Sequence, residues 1–210
     1  MMFLTGHQAQ ALVLGQVDDF QTGAQNWANG HGAGSVALGG PSGTNDQFLD
    51  VIADGSGSSG KLTIFNRTQW LGDYVTTGVN EIDMDLKDLG TNAATLSIRL
   101  AFRQTTINGA PGYLSTTPLT LTNDGLWHHA IFQITSASMT AIGGPAAFAS
   151  LMSAPAEFRI LNEVGVTNLD GDTVISQLGI DNIQAVPEPT VVGLLACSLC
   201  LLVLYRYRKA

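Results

Sequence analysis

Between Thr95 and Arg103 the chain alternates without a break: Leu96, Ile98, Leu100 and Phe102 hold one parity, and Ser97, Arg99, Ala101 and Arg103 the other. Successive side chains of a strand leave on opposite faces, so this stretch buries one apolar face as a β-strand and scatters it as a helix. Asn80 to Leu86 repeats the pattern, with Ile82, Met84 and Leu86 against Glu81, Asp83 and Asp85. Further strands are expected at Val13 to Phe20, Gln47 to Ala53, Lys61 to Asn66, Tyr113 to Leu121, Trp127 to Ile134, Glu157 to Asn162 and Ile175 to Ala185. Turn-forming clusters separate them, among them Asp54 to Gly60, Asn123-Asp124-Gly125 and Asn168 to Asp172. Thr22 to Gly34 reads as a loop around Trp27, and Pro145 to Met152 as a single short helix. The pattern predicts an all-β, antiparallel two-sheet sandwich with little helix.

The end of the chain obeys a different rule. Val186-Pro187-Glu188-Pro189 precedes an uncharged apolar run from Val191 to Tyr205, which Arg206, Tyr207, Arg208 and Lys209 close. Fifteen residues at about 1.5 Å each make roughly 22 Å of helix, a short transmembrane span that flanking residues complete by snorkelling. The basic end belongs in the cytoplasm, which places the preceding domain on the exported side. The Pro-Glu-Pro motif, short apolar helix and basic tail resemble a PEP-CTERM sorting signal. That resemblance covers 186–210 and implies recognition by an exosortase-type enzyme in the inner membrane, with Pro187, Glu188 and Pro189 as the motif and Arg206, Arg208 and Lys209 as its basic tail. It further implies removal of the tail during sorting to the cell surface or matrix. At the other end, Ala9-Gln10-Ala11 has the small-x-small form of a cleavage site, so residues 1–11 are read as a signal-peptide remnant and 12–185 as the exported domain.

Of the nine Lys and Arg in the chain, three lie in the tail, leaving Lys61, Arg67, Lys87, Arg99, Arg103 and Arg159 against sixteen Asp and Glu before Pro187. So acidic a surface makes nucleic acid a poor partner. Both cysteines, Cys197 and Cys200, fall inside the apolar run, so no disulfide staples the domain. Nothing in the composition calls for an organic cofactor.

The strand-face carboxylates Glu81, Asp83 and Asp85 read as a solvated face. His128 and His129 are adjacent and point to opposite faces, with His128 sharing the core side of Ala130 and Phe132. A glycosidase needs two carboxylates facing across a cleft, and neither Glu157 nor Glu163 has such a setting in the sequence. The stretch Asn66 to Tyr74 gathers Arg67, Gln69, Trp70, Asp73 and Tyr74, the ring faces and planar donors that a sugar needs. Trp70, Tyr74 and Arg67, with Tyr113, are therefore candidate carbohydrate contacts; the alternative is that Trp70 and Tyr74 close one end of the sandwich.

Asp18-Asp19-Phe20 with Trp27, and Leu178 to Ile183, resemble the first and last strands of jelly-roll carbohydrate-binding modules. The resemblance implies that these strands are neighbours and that a structural calcium sits where they meet, held by Asp18 or Asp19 and by Asp181. A dication also suits an acidic domain without disulfides. The combined reading is a non-catalytic exported surface or matrix protein associated with extracellular polysaccharide. A secreted hydrolase of matrix glycans and a plain adhesion or coat protein are the alternatives.

Overall fold

The computed structural model describes residues 12–30, 32–57, 60–91 and 95–187. The expected signal remnant, the Glu188 and Pro189 of the sorting motif, the apolar run and the basic tail lie outside them. Among the described residues no helix is long and apolar enough to cross a membrane.

The strands are β1 (Val17–Asp18), β2 (Trp27–Asn29), β3 (Gly32–Ala33), β4 (Ser35–Leu38), β5 (Gln47–Asp54), β6 (Thr63–Asn66) and β7 (Glu81–Asp88). They continue as β8 (Leu96–Arg103), β9 (Gly112–Ser115), β10 (Leu119–Leu121), β11 (His128–Gln133), β12 (Met139–Ile142), β13 (Glu157–Asn162) and β14 (Ile175–Val186), with helices α1 (Tyr74–Thr77) and α2 (Phe148–Met152). They form two antiparallel sheets. Sheet A runs β11-β7-β14-β5-β4, with β1 also on β14; sheet B runs β12-β9-β8-β13-β6-β2-β3, with β10 on β8. The Asp54 to Gly60 link therefore carries the chain from one sheet to the other.

The alternation sets the inner faces as expected. Leu96, Ile98, Leu100 and Phe102 of β8 face Ile82, Met84 and Leu86 of β7 and Leu49 and Val51 of β5 in one core. The outward parity of β8 behaves differently. Arg99, Ala101 and Arg103 are also buried, because the chain after β13 folds over the outside of sheet B and a second small core of Ala101, Leu114, Leu161 and Leu169 forms there. Arg99 survives burial by donating from its guanidinium to the carbonyls of Glu163, Ser115, Thr116 and Val164. The part of sheet B around β8, β9 and β13 is thus covered on both faces, which strand periodicity does not announce.

Several boundaries move. The expected first strand shrinks to β1, Tyr113 to Leu121 splits into β9 and β10, and β2 to β4 and β12 occupy stretches read as loop or left unassigned. Trp27 belongs to β2. Phe20, Gln25 and Asn26 take positive φ just before it, a tight local path for non-glycine residues that delivers the indole into the core. An unforeseen turn of helix, α1, starts at Asp73, whose carboxylate accepts from the Val75 and Thr76 amides at 2.9 Å, and ends at Gly78 in the left-handed region.

The first and last strands are neighbours: Val17 and Asp18 of β1 pair with Gln184 and Ile183 of β14. Strand β5 pairs with β14 only as far as Ile180. Between the two contacts lie Asp181 and a register shift against β7, with Asn182 at φ 50°. On the edge of β14 away from β7, the pairing is thus interrupted between Ile180 and Ile183, while Asp181 stays in register with Asp85 on β7.

Candidate functional site

The structure divides the expected sugar contacts. Trp70 is 0% exposed, packed at 5.5 Å from Phe158 and 6.3 Å from Trp27. Tyr74 is buried against Phe102 and donates its hydroxyl to the Trp70 carbonyl at 2.8 Å. Tyr113 is buried too, edge-on to Phe148 and donating to the Ala146 carbonyl. An enclosed ring offers no face to a sugar, so these three are corrected to core residues. Arg67 alone of the four reaches solvent, with its side chain 41% exposed.

Arg67 opens onto a groove of about 620 Å³ on the outer face of sheet B, larger than clefts of about 350 and 160 Å³ elsewhere on the surface. Its lining includes Asn29, Lys61, Phe65, Arg67, Asn108 and Arg159. These side chains share a wall because β2, β6 and β13 are adjacent strands, and Phe65 sits opposite Arg159 in the register. The Arg67 guanidinium lies over the Phe65 ring at 4.2 Å, a cation–π contact that holds both in place.

Beneath the groove Glu157, 0% exposed, is the common partner of three arginines. Its Oε2 accepts from Arg67 Nε and pairs with Arg67 Nη2, both at 2.5 Å; Oε1 accepts from Arg159 Nε and lies 3.3 Å from Arg103 Nη1. Asp170 adds a second carboxylate, 3.1 Å from Arg159 and 3.4 Å from Arg103. Burial, and next the neighbouring Arg159 charge, pull the Arg103 guanidinium below its ordinary range. Its Nε is buried without a partner. Glu163, the other glutamate considered for hydrolysis, is buried and accepts from Thr167 and Asn168.

The proposed calcium ligands also separate. Asp18 points into the core, where its Oδ2 accepts from Trp70 Nε1 at 2.6 Å, Trp27 Nε1 at 2.7 Å and Gln69 Nε2 at 2.9 Å. Burial raises its pKa above the usual carboxylate value even against those three donors. That oxygen is fully used, and Asp18 is corrected to an anchor for two indoles. Asp181 differs: it is 1% exposed, its Oδ1 accepts from the Asn182 amide, and its Oδ2 has no partner. Burial, with the charges of Asp46, Asp85 and Asp19 nearby, pushes its pKa up to about 7. A Cβ on Gly40 would lie 2.5 Å from Asp46 Oδ2 and 3.0 Å from Asp181 Oδ2, so the two carboxylates converge on a space that only glycine leaves open. Among the described residues no three His, Cys, Asp or Glu side chains gather closely enough to bind an ion by themselves. An ion here would draw its remaining oxygens from the main chain.

The outer face of sheet A carries residues that the sequence reading passed over. Trp127 lies across Gly179, whose added Cβ would meet the ring at 2.8 Å, and packs edge-on to Phe48 at 5.2 Å. The Asp-Gly turn before Trp127 and the glycine inside the last strand were the available signals. His128, expected in the core, instead reaches Asp124 at 2.9 Å at a half-exposed position. His129 reaches Asp85 at 3.1 Å on the other face. Glu81, Asp83 and Asp85 are less solvated than expected, since Gln133 donates to Glu81 and Asn182 to Asp85.

Compared with known proteins, the chain matches no family model and no curated protein. It is similar in fold to solved structures. A solution structure of CtCBM11 matches with TM-score 0.50 at 14% identity, over 83% of this chain and 96% of that one. An agarase, AgWH50C, matches with TM-score 0.51 at 10% identity, over 83% of this chain, which spans only 24% of the agarase. A family 11 carbohydrate-binding module from Clostridium thermocellum, in complex with a β-1,3-1,4-mixed-linked tetrasaccharide, matches with TM-score 0.47 at 14% identity, over 84% and 99% of the two chains. Identities this low establish a shared all-β sandwich and nothing finer.

Proposed function

We propose that this protein is a non-catalytic, exported surface or matrix component that binds extracellular polysaccharide through the groove on sheet B. The observation that carries the reading is the groove itself. It is of the size that small ligands occupy, and Arg67, stacked on Phe65, supplies planar donors around it together with Asn108. Sugar hydroxyls are recognised by planar polar groups of that kind. Absence of catalysis is supported by the setting of Glu157 and Glu163, buried and engaged rather than facing each other across a cleft. Affinity electrophoresis of the protein through gels containing matrix polysaccharides is the test; unchanged mobility in all of them overturns the reading.

Export rests on Pro187, Glu188 and Pro189 with the apolar run and basic tail that follow. Replacing the three with alanine should leave the precursor in the inner membrane, and release at the normal rate would defeat this part of the proposal. A structural calcium is proposed at Asp46 and Asp181, near Asp19. The orphaned Asp181 Oδ2 and the space above Gly40 are what fit it. The ion would supply positive charge to carboxylates that pair with no cationic side chain among the described residues.

A further inference from the structure

Lys61, Arg67, Arg103 and Arg159, four of the six lysines and arginines that precede the tail, line or underlie one groove. Among the described residues only Glu157 and Asp170 pair with them there. The site therefore carries an excess of two positive charges inside a chain of net charge −8. From this concentration we infer that the groove takes an anionic saccharide: a carboxylate-bearing sugar within an acidic polysaccharide, not a neutral glycan. The inference rests on the glycan-binding reading above and names the class of sugar.

The hydrogen-bond inventory points the same way. Each guanidinium has five N–H donors, and three of them share two carboxylates and the carbonyls of Ile107 and Leu169 here. Glu157 takes Nε and Nη2 of Arg67, which leaves Nη1 outside that pair on a side chain that lines the groove. Lys61 is exposed and has no ion-pair partner among the described residues. In so acidic a protein, carboxylates to neutralise it are abundant elsewhere on the surface. The donors at the groove thus exceed the acceptors, and an acceptor-rich ligand completes the set. Charge-assisted pairs between a guanidinium and a carboxylate are shorter and stronger than neutral ones. The Asn108 amide on the groove wall suits the hydroxyls of the sugar that carries such a carboxylate.

Shape and long-range charge argue for a saccharide over nucleic acid. A groove of about 620 Å³ holds a few sugar units and no duplex. Beyond it the acidic surface repels a densely charged chain across about 10 Å of dilute salt solution, whereas a polysaccharide with spaced carboxylates meets less repulsion.

The test uses the full-length chain in mild detergent, with polygalacturonate, its fully methyl-esterified form and a neutral β-glucan as probes in affinity electrophoresis. The esterified polymer keeps the backbone and removes the charge. Polygalacturonate should retard the protein at least tenfold more strongly than its ester, and the retardation should fall several-fold as salt rises from about 50 to 500 mM. Lys61→Glu should abolish it while the melting temperature holds, since Lys61 is exposed. Equal binding of the ester, or binding of the β-glucan alone, overturns the anionic class and leaves glycan binding standing. No retardation by any of the three defeats both. Displacement of polygalacturonate by equimolar charge of single-stranded DNA shows a general polyanion sink and overturns the assignment to a sugar.

Discussion

Glu157 and Asp181 stand on the outer faces of opposite sheets, both shut away from water, and the chain answers the two burials in opposite ways. Around Glu157 it supplies three guanidiniums from three different segments. Around Asp181 it supplies one backbone amide and leaves the second oxygen bare among other carboxylates. A buried charge has to be compensated or neutralised. Sheet B compensates with its own side chains and has cations to spare, which are then available to a ligand. Sheet A carries Lys87 on β7 but brings no cationic side chain to Asp181 among the described residues, and burial holds that carboxylate toward its protonated form. Asp18 shows a third solution, three neutral N–H donors on one oxygen.

Breaking the compensated side should have the largest effect. Glu157→Ala leaves three arginines without their shared partner, and removing one member of a buried charge network typically costs about 3–5 kcal/mol. Urea denaturation followed by tryptophan fluorescence reads this directly; a loss below about 1 kcal/mol would mean that the arginines compensate one another through solvent. The uncompensated side should respond to conditions more than to truncation. Asp181 has a folded pKa of about 7 against 3.8 for an ordinary aspartate. The folded state therefore holds the proton more tightly, and the stability it adds is complete below about pH 4 and lost as pH rises through about 7. With chelator present the melting temperature should fall across that window, and Asp181→Asn should flatten the fall. Calcium at about 100 times its dissociation constant should add roughly 2.7 kcal/mol above pH 7 in the parent and not in Asp181→Asn. A parent indifferent to calcium sinks the ion.

Two smaller changes sharpen the contrast on the outer face of sheet A. Gly179→Ala drives a Cβ into Trp127 and Phe48, and overpacking of this kind costs about 1–3 kcal/mol. A shift of tryptophan emission toward that of a solvated indole would report the displaced ring, and an unchanged spectrum would show that Trp127 is not held there. His129→Ala removes a pairing to Asp85 from a side chain that is 58% exposed, and the melting curve should move by less than about 0.5 kcal/mol. A larger loss would make this face a cooperative network instead of a set of screened pairs.

What the sequence determined was the face of each well-patterned strand. Leu96, Ile98, Leu100 and Phe102, like Ile82, Met84 and Leu86, could turn inward only together, because a period of two leaves no other way to bury them. The resemblance of the two ends to jelly-roll modules also carried the expectation that the first and last strands are neighbours, which the pairing of β1 with β14 meets, although Asp18 turns into the core and away from Asp181. The sequence did not determine which polar residues of the outer parity stay in water. Arg99 and Arg103 read as solvent-facing, and they are buried because a segment sixty residues away folds over them and brings carbonyls and Glu157 within bonding distance. Trp70 and Tyr74 read equally well as sugar platforms or core, since a ring's neighbours belong to other strands: Phe158 and Phe102 enclose them. The groove is the same kind of fact. Lys61, Arg67 and Arg159 are cations scattered over a hundred residues of an acidic chain, and only the antiparallel order of β6, β13 and β8 sets them side by side, because strand pairing joins residues by register and not by their distance along the chain.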